Sequence, residues 1–289
     1  MQFGVLPPYH EGVAADPEWM VEFARHAEAV GFESLYVPEH AVVPSGYQSR
    51  YPYAPDARIP VPIDCPFPDP LELLAFLAAA TETLVLATGI LILPQHHPVI
   101  LAKRVATLDA LSGGRARLGI GVGWMREEFD AVDADFDNRG ARADEMIVAM
   151  RALWSEAEAD FSGRFYSFEG AISRPQPVRP GGVPIHIGGH STAAARRAGR
   201  LGQGFQPLEL EGEALADKLA IMRTAAVAAG RDPDLLEVTL LGVVGFTTSD
   251  DVARAEESGA TRLVMGAAVG DLRAVKDDLS RAADALIHP

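Results

Sequence analysis

Residues 84–121 read LVLATGILILPQHHPVILAKRVATLDALSGGRARLGIG, and this stretch decides the fold. It opens on an aliphatic run, Leu84–Leu91, which has strand character. Pro98 then starts a helix-period segment, Pro98–Leu111, that stops at Ser112-Gly113-Gly114. A second aliphatic run, Arg117–Gly121, follows at once. Strand, helix and strand in one short span read as a parallel βαβ unit.

The same alternation extends to both ends of the chain. Upstream, Phe3–Leu6 is a strand, and Asp16 and Pro17 cap and open a helix that ends at Gly31. Ser34–Val37 is the second strand. Asp69, Pro70 and Glu72 start the next helix. Downstream, a helix is expected over Gly140–Trp154. The remaining strands are Val183–Ile187, Gly204–Pro207, Glu237–Val244 and Arg262–Met265. Their helices are Thr192–Leu201, Glu213–Ala229, Ser249–Ser258 and Leu272–Leu286. Eight such pairs predict an α/β fold of the (β/α)₈ TIM barrel kind, one domain over residues 1–289. Two insertions interrupt it. One is a Pro- and Tyr-rich loop at 41–68. The other lies near 159–176, where Phe161–Gly170 reads as a hairpin covering the barrel.

Composition narrows the function. The 289 residues carry 25 basic and 40 acidic side chains, a formal charge of −15. An acidic surface disfavours nucleic acid and anionic membrane as partners. A single cysteine, Cys65, excludes an intrachain disulfide and a multi-cysteine metal centre. The chain shows no signal-peptide pattern and no apolar run long enough to span a bilayer, so a cytoplasmic protein is expected.

In a barrel of this kind, chemistry sits at the carboxyl ends of the strands. The second strand ends in Glu39-His40. A histidine can move a proton near neutral pH, and an adjacent carboxylate could orient it; a plain surface pair is the alternative. The third ends through Gly89 and Ile90, where a glycine marks either a close backbone approach or simple crowding. The fourth ends Gly119-Ile120-Gly121-Val122-Gly123-Trp124. Alternating glycines could leave a bare face for a flat ring edged by Trp124, or could serve strand–helix packing. The glycine spacing does not fit a dinucleotide fingerprint. The fifth ends Ile187-Gly188-Gly189-His190-Ser191-Thr192, the local chemistry of a phosphate site at a helix start, or a glycine turn with a Ser cap. His40, His96, His97, His186 and His190 leave a metal-dependent barrel hydrolase open as a rival, although their spacing matches no metal motif and no metal is expected. The nucleophile elbow of a serine hydrolase is missing.

Taken in order, these segments resemble the luciferase-like monooxygenase superfamily, and within it the coenzyme F420-dependent oxidoreductases. The likeness runs through Gly31–His40, Ala87–Ile90 with Pro94 and Pro98, Ala106–Arg115, Leu118–Trp124 with Glu128, Ile187–Gly189 and Ala198–Phe205. It covers residues 1 to about 210 well and the rest loosely. It departs at His190 and Phe205, where relatives often carry Asn and Trp. The resemblance implies that His40 is the proton donor or acceptor beside the cofactor ring, with Glu39 next to it. It places a non-proline cis peptide at Gly89–Ile90 behind the ring. It has Val122, Gly123 and Trp124 line the cofactor, and the amides of Gly188 and Gly189, with Ile187, His190 and Ser191 around them, hold its phosphate. The implied reaction is hydride transfer between F420 and a small organic substrate, with FMN and O₂ chemistry as the alternative. The 41–68 loop and the hairpin would exclude water, and a homodimer is expected because relatives pair.

Overall fold

A computed structural model describes residues 1–288. The chain alternates as the sequence predicts. Strand β1 (Gln2–Leu6), helix α1 (Pro17–Ala29), β2 (Ser34–Val37) and α2 (Pro70–Ala78) come first. They are followed by β3 (Val85–Thr88), β4 (Leu91–Ile92), α3 (Pro98–Leu111), β5 (Ala116–Gly121), α4 (Arg126–Ala131) and α5 (Arg139–Ser155). After the hairpin β6 (Ala159–Ser162) and β7 (Ser167–Ala171) come β8 (Ile185–Gly188), α6 (Thr192–Leu201), β9 (Gly204–Gln206) and α7 (Gly212–Ala228). The chain closes with β10 (Glu237–Val243), α8 (Ser249–Glu257), β11 (Arg262–Gly266) and α9 (Leu272–Leu286). The strands run β3-β2-β1-β11-β10-β9-β8-β5-β4, and β3 also pairs with β5, so the parallel sheet closes into a (β/α)₈ barrel.

The local rules that started each helix hold. Asp16 accepts from Glu18 N and Trp19 N, with Pro17 at the first position. Asp69 does the same for Leu71 N and Glu72 N. Between strands and helices lies the main apolar layer, in which Met20, Phe23, Leu74, Leu77 and Met146 are fully buried. Each such side chain contributes about 1.5–3 kcal/mol.

Three sequence expectations change. The run 84–91 is not one strand. The Gly89–Ile90 peptide is cis, the ladder breaks there, and pairing resumes only at Leu91 with Ile120. Helix α4 falls where no period was read, because it is a turn and a half that shows only its Phe129 to the core. The third change is the hairpin, which lies against the outer helices instead of capping the barrel. Glu145 of α5 accepts from the amides of Arg164, Phe165 and Tyr166 at 2.9, 2.8 and 2.7 Å. The Tyr166 ring meets His97 at the start of α3, centroids 5.5 Å apart. Arg142 Nη1 also donates to the Tyr166 hydroxyl at 3.2 Å, and Tyr166, Phe168 and Ala171 pack on the core, so the hairpin is held along α5.

The barrel floor, at the amino ends of the strands, is ionic. Glu33 accepts from Arg117 Nη2 at 2.6 Å and from Arg262 Nε at 3.1 Å, and Arg262 Nη1 also reaches Glu237 at 2.7 Å. Arg262 is wholly buried. Burial opposes ionisation of Glu33, but the Arg117 hydrogen bond and the charges of Arg117 and Arg262 prevail and hold its pKa down at about 2. His186 stands in the same layer. Burial first, then the two arginines, push its pKa well below the ordinary value, so it is neutral. Above this layer Tyr36, Ala87 and Val264 fill the barrel, with Leu6 packed on them.

Candidate active site

His40 stands just beyond β2, at the carboxyl rim. Its partner is Glu128 of α4. His40 Nδ1 lies 3.1 Å from Glu128 Oε2, and Ala41 N donates to Oε1 at 2.7 Å. Glu128 is only 1% exposed. A carboxylate at Nδ1 accepts the ring proton there, which leaves Nε2 as the nitrogen that can give or take a proton beyond the pair.

Glu39, expected beside His40 in function, turns elsewhere. Its Oε2 accepts from Ile92 N at 2.5 Å and its Oε1 lies 2.9 Å from His96 Nε2. Successive residues of extended chain point to opposite sides, so adjacency in sequence separated these two side chains. Glu39 ties the end of β2 to the restart of the broken strand at β4. The residue that orients His40 sits 88 positions further on. Glu128 lies within the segments that resemble the family, but no spacing rule connects it to His40.

Helix α4 also anchors the 41–68 loop. Glu127 Oε1 accepts from Gln48 N at 2.6 Å and Ser49 N at 3.1 Å, and Arg126 N donates to Ser49 Oγ at 3.0 Å. The loop carries aromatic rings across the strand ends. Phe67 and Trp124 approach His40 edge-on, with centroids 5.2 and 6.2 Å away. Tyr51 meets Trp124 at 5.1 Å, Tyr53 meets Tyr51 at 5.3 Å, and His190 meets Tyr53 at 4.9 Å. Tyr47 is buried against Trp124 as well. His40 at β2, Trp124 after β5 and His190 after β8 are thus joined through loop tyrosines. Burial, then Tyr53 and Glu209, push the Tyr51 hydroxyl up to about 12, so it stays protonated and can donate.

The glycines of β5 and β8 leave room for Ile90. A Cβ on Gly121 would stand 2.6 Å from Ile90 Cδ1, and one on Gly188 2.7 Å from Ile90 Cγ2. Ile90 therefore fills the bare face of β5, and a planar ligand would lie above that side chain. A Cβ on Gly89 would meet the Tyr36 ring, and one on Gly123 would meet Phe129 and Ile92. Val122 is half-buried against the main core, and Ile187, 1% exposed, points into it, so its side chain faces away from the rim.

At β8 the Gly189 N–H already donates to Gln206 O at 3.1 Å. Ser191 caps α6 by accepting from Ala194 N at 3.1 Å. The amides that open α6, from Thr192 onward, have no partner within the helix. Nδ1 of His190 and Nε2 of Gln206 are buried without a protein partner. Orphaned donors and acceptors beside a glycine-lined mouth and a helix start fit a polar heterocycle with a phosphate tail.

The five histidines of the rival metal reading are dispersed. His186 lies in the floor layer with Arg117 and Arg262, His97 meets the hairpin, and His96 is held by Glu39. Among the described residues no group of three or more His, Cys, Asp or Glu is placed to hold a metal ion. No helix among them is long and apolar enough to cross a membrane.

Comparison with known proteins agrees with the barrel fold. The model of the luciferase-like monooxygenase family matches residues 1–285. An uncharacterized protein of Mycobacterium tuberculosis is 32% identical over 255 residues, 87% of this chain and 85% of its own. An F420-dependent glucose-6-phosphate dehydrogenase of Beutenbergia cavernae is 30% identical over 279 residues, covering 93% and 76%. Among solved structures, an F420-dependent secondary alcohol dehydrogenase in complex with an F420-acetone adduct superposes with a TM-score of 0.78 at 18% identity, over 97% of both chains. That last likeness is one of fold.

Proposed function

Since the chain belongs to the luciferase-like monooxygenase family, and is an oxidoreductase as its relatives are, we propose that it uses coenzyme F420 to interconvert a small organic carbonyl compound and its reduced form. The observation that carries this reading is the Glu128–His40 pair at the rim of β2, on the same rim as the Ile90 side chain that covers Gly121 and Gly188. When bound, the cofactor supplies or accepts a hydride. The chain's residues do the rest. Glu128 keeps the proton on His40 Nδ1, and Nε2 gives a proton to the substrate oxygen in reduction or takes it in oxidation, a role worth about 10²–10⁴-fold. Ile90 backs the ring, the α6 amides and His190 bind its phosphate, and Trp124, Tyr51 and Tyr53 shut out water. On the same reading the enzyme works in the cytoplasm as a homodimer, which sedimentation of the purified protein tests.

Fluorescence titration of the purified protein with F420 and with FMN decides the cofactor. The expected result is saturable F420 binding and none of FMN, with F420 oxidised or reduced by members of an alcohol and ketone panel. Binding of FMN alone, with O₂ consumed, would instead make the protein a flavin monooxygenase.

A further inference from the structure

The upper half of the barrel interior can be read from strand register. Arg262 and Thr239 face inward, since Arg262 Nη1 donates to Thr239 Oγ1 at 3.3 Å. Side chains alternate along each barrel strand, so Leu241 and Val243 face inward too, opposite Val264 and Gly266. Inward residues of a filled barrel are buried, yet Leu241 is 53% and Val243 44% exposed. The mouth above the Tyr36–Ala87–Val264 layer is therefore open. Leu6, Gly121, Gly188 and Gly266 continue its wall, which offers only aliphatic groups and bare backbone.

Gln206 breaks this pattern. It sits on β9 opposite Gly188, on the inward side, two residues beyond Gly204. The place a Cβ on Gly204 would take is occupied by the His186 ring inside the barrel. A Cβ on Gly119 would run into the Thr88 carbonyl oxygen, and Gln206 Oε1 lies 3.0 Å from the same point, so the carboxamide reaches in over the bare backbone of β5. Its Nε2 is buried with no partner. An orphaned amide in an apolar chamber costs stability, and a ligand that pairs with it removes that cost.

We infer that Gln206 is a cofactor-positioning residue that pairs with the imide edge of the ring. A carboxamide presents one acceptor and one donor side by side, which matches the adjacent C=O and N–H of a pyrimidinedione. F420 and FMN both carry that edge. The glycines and aliphatic groups of this wall admit a flat ring and offer it no side-chain hydrogen bond of their own, so on this wall Gln206 sets how the ring is turned in its plane. The inference rests on a ring cofactor binding here, and not on which of the two it is.

The test compares cofactor affinity, by fluorescence titration, for the unaltered protein and for Gln206→Met, whose side chain has the same length without the amide. Binding of whichever of F420 and FMN the unaltered protein takes is expected to weaken about tenfold, the worth of one buried hydrogen bond. The thermal midpoint of the cofactor-free protein should not fall. The N3-methylated ring supplies the second measurement. It should bind the unaltered protein about tenfold more weakly than the parent ring, and Gln206→Met should no longer distinguish the two. Equal affinity of the unaltered protein for parent and methylated rings, or discrimination that survives in Gln206→Met, overturns the role of Gln206 alone. If neither F420 nor FMN binds the unaltered protein, the functional reading fails and this inference fails with it.

Discussion

Glu33→Gln probes the ionic floor that holds the amino ends of β2, β5, β10 and β11 together. Glu33 takes hydrogen bonds from Arg117 and Arg262, and Arg262 is completely buried. Its pKa in the fold, about 2, compares with an ordinary glutamate at 4.5. At about 1.4 kcal/mol per pKa unit the difference is worth about 3 kcal/mol at neutral pH. The sign follows from the lowered native value. The unfolded chain takes up the proton first as pH falls, so the stabilisation is complete above about pH 5. It drops to about 1 kcal/mol near pH 3 and almost vanishes near pH 2. The glutamine variant has no such proton to bind. Urea unfolding, followed by tryptophan fluorescence, should therefore show it about 3 kcal/mol less stable at pH 7, with the gap narrowing to about 1 near pH 3. Neutral His186 destabilises both proteins below about pH 6.5, since unfolding lets it charge, and the comparison cancels that slope. A gap under about 1 kcal/mol at pH 7, or one that does not shrink with acid, would refute the assignment of Glu33 as a carboxylate held by two arginines.

Two further substitutions test the rim. Glu128→Gln keeps an acceptor for Ala41 N but sets an amide donor against His40 Nδ1. Cofactor affinity is expected to hold while turnover on any substrate found in the panel falls by about 10²–10⁴; undiminished turnover would show that Glu128 does not set the His40 proton. Gly188→Ala puts a methyl 2.7 Å from Ile90 Cγ2, so calorimetry should find the protein about 1–3 kcal/mol less stable, with weaker cofactor binding. An unchanged melting temperature together with unchanged affinity would mean that Ile90 is free to move aside.

Helix boundaries were legible because their causes are local. Asp16-Pro17 and Asp69-Pro70 act within a single turn, and helix α3 runs Pro98–Leu111 as its sequence predicts. The candidate site was legible as a set of strand ends, since a parallel barrel delivers every βα loop to one rim. Errors arose wherever a side chain had to choose a partner. Glu39 looked like the companion of His40 and binds Ile92 and His96 instead. The alternating glycines of β5 looked like room for a cofactor, and part of that room holds Ile90. The hairpin looked like a lid and is fastened to α5 by Glu145.

The amino-acid sequence by itself determined the eight strand–helix units, their order and hence which loops share a rim, because hydrophobic period and capping depend on residues a few positions apart. Only the tertiary structure decided that Glu128 holds His40, that Arg117 and Arg262 meet over Glu33, and that Gln206 Nε2 is left without a partner inside the barrel mouth. Barrel closure brings together strands more than two hundred residues apart, β1 beside β11. A polar side chain inside it bonds to whichever group the register sets opposite, a choice that no local pattern encodes.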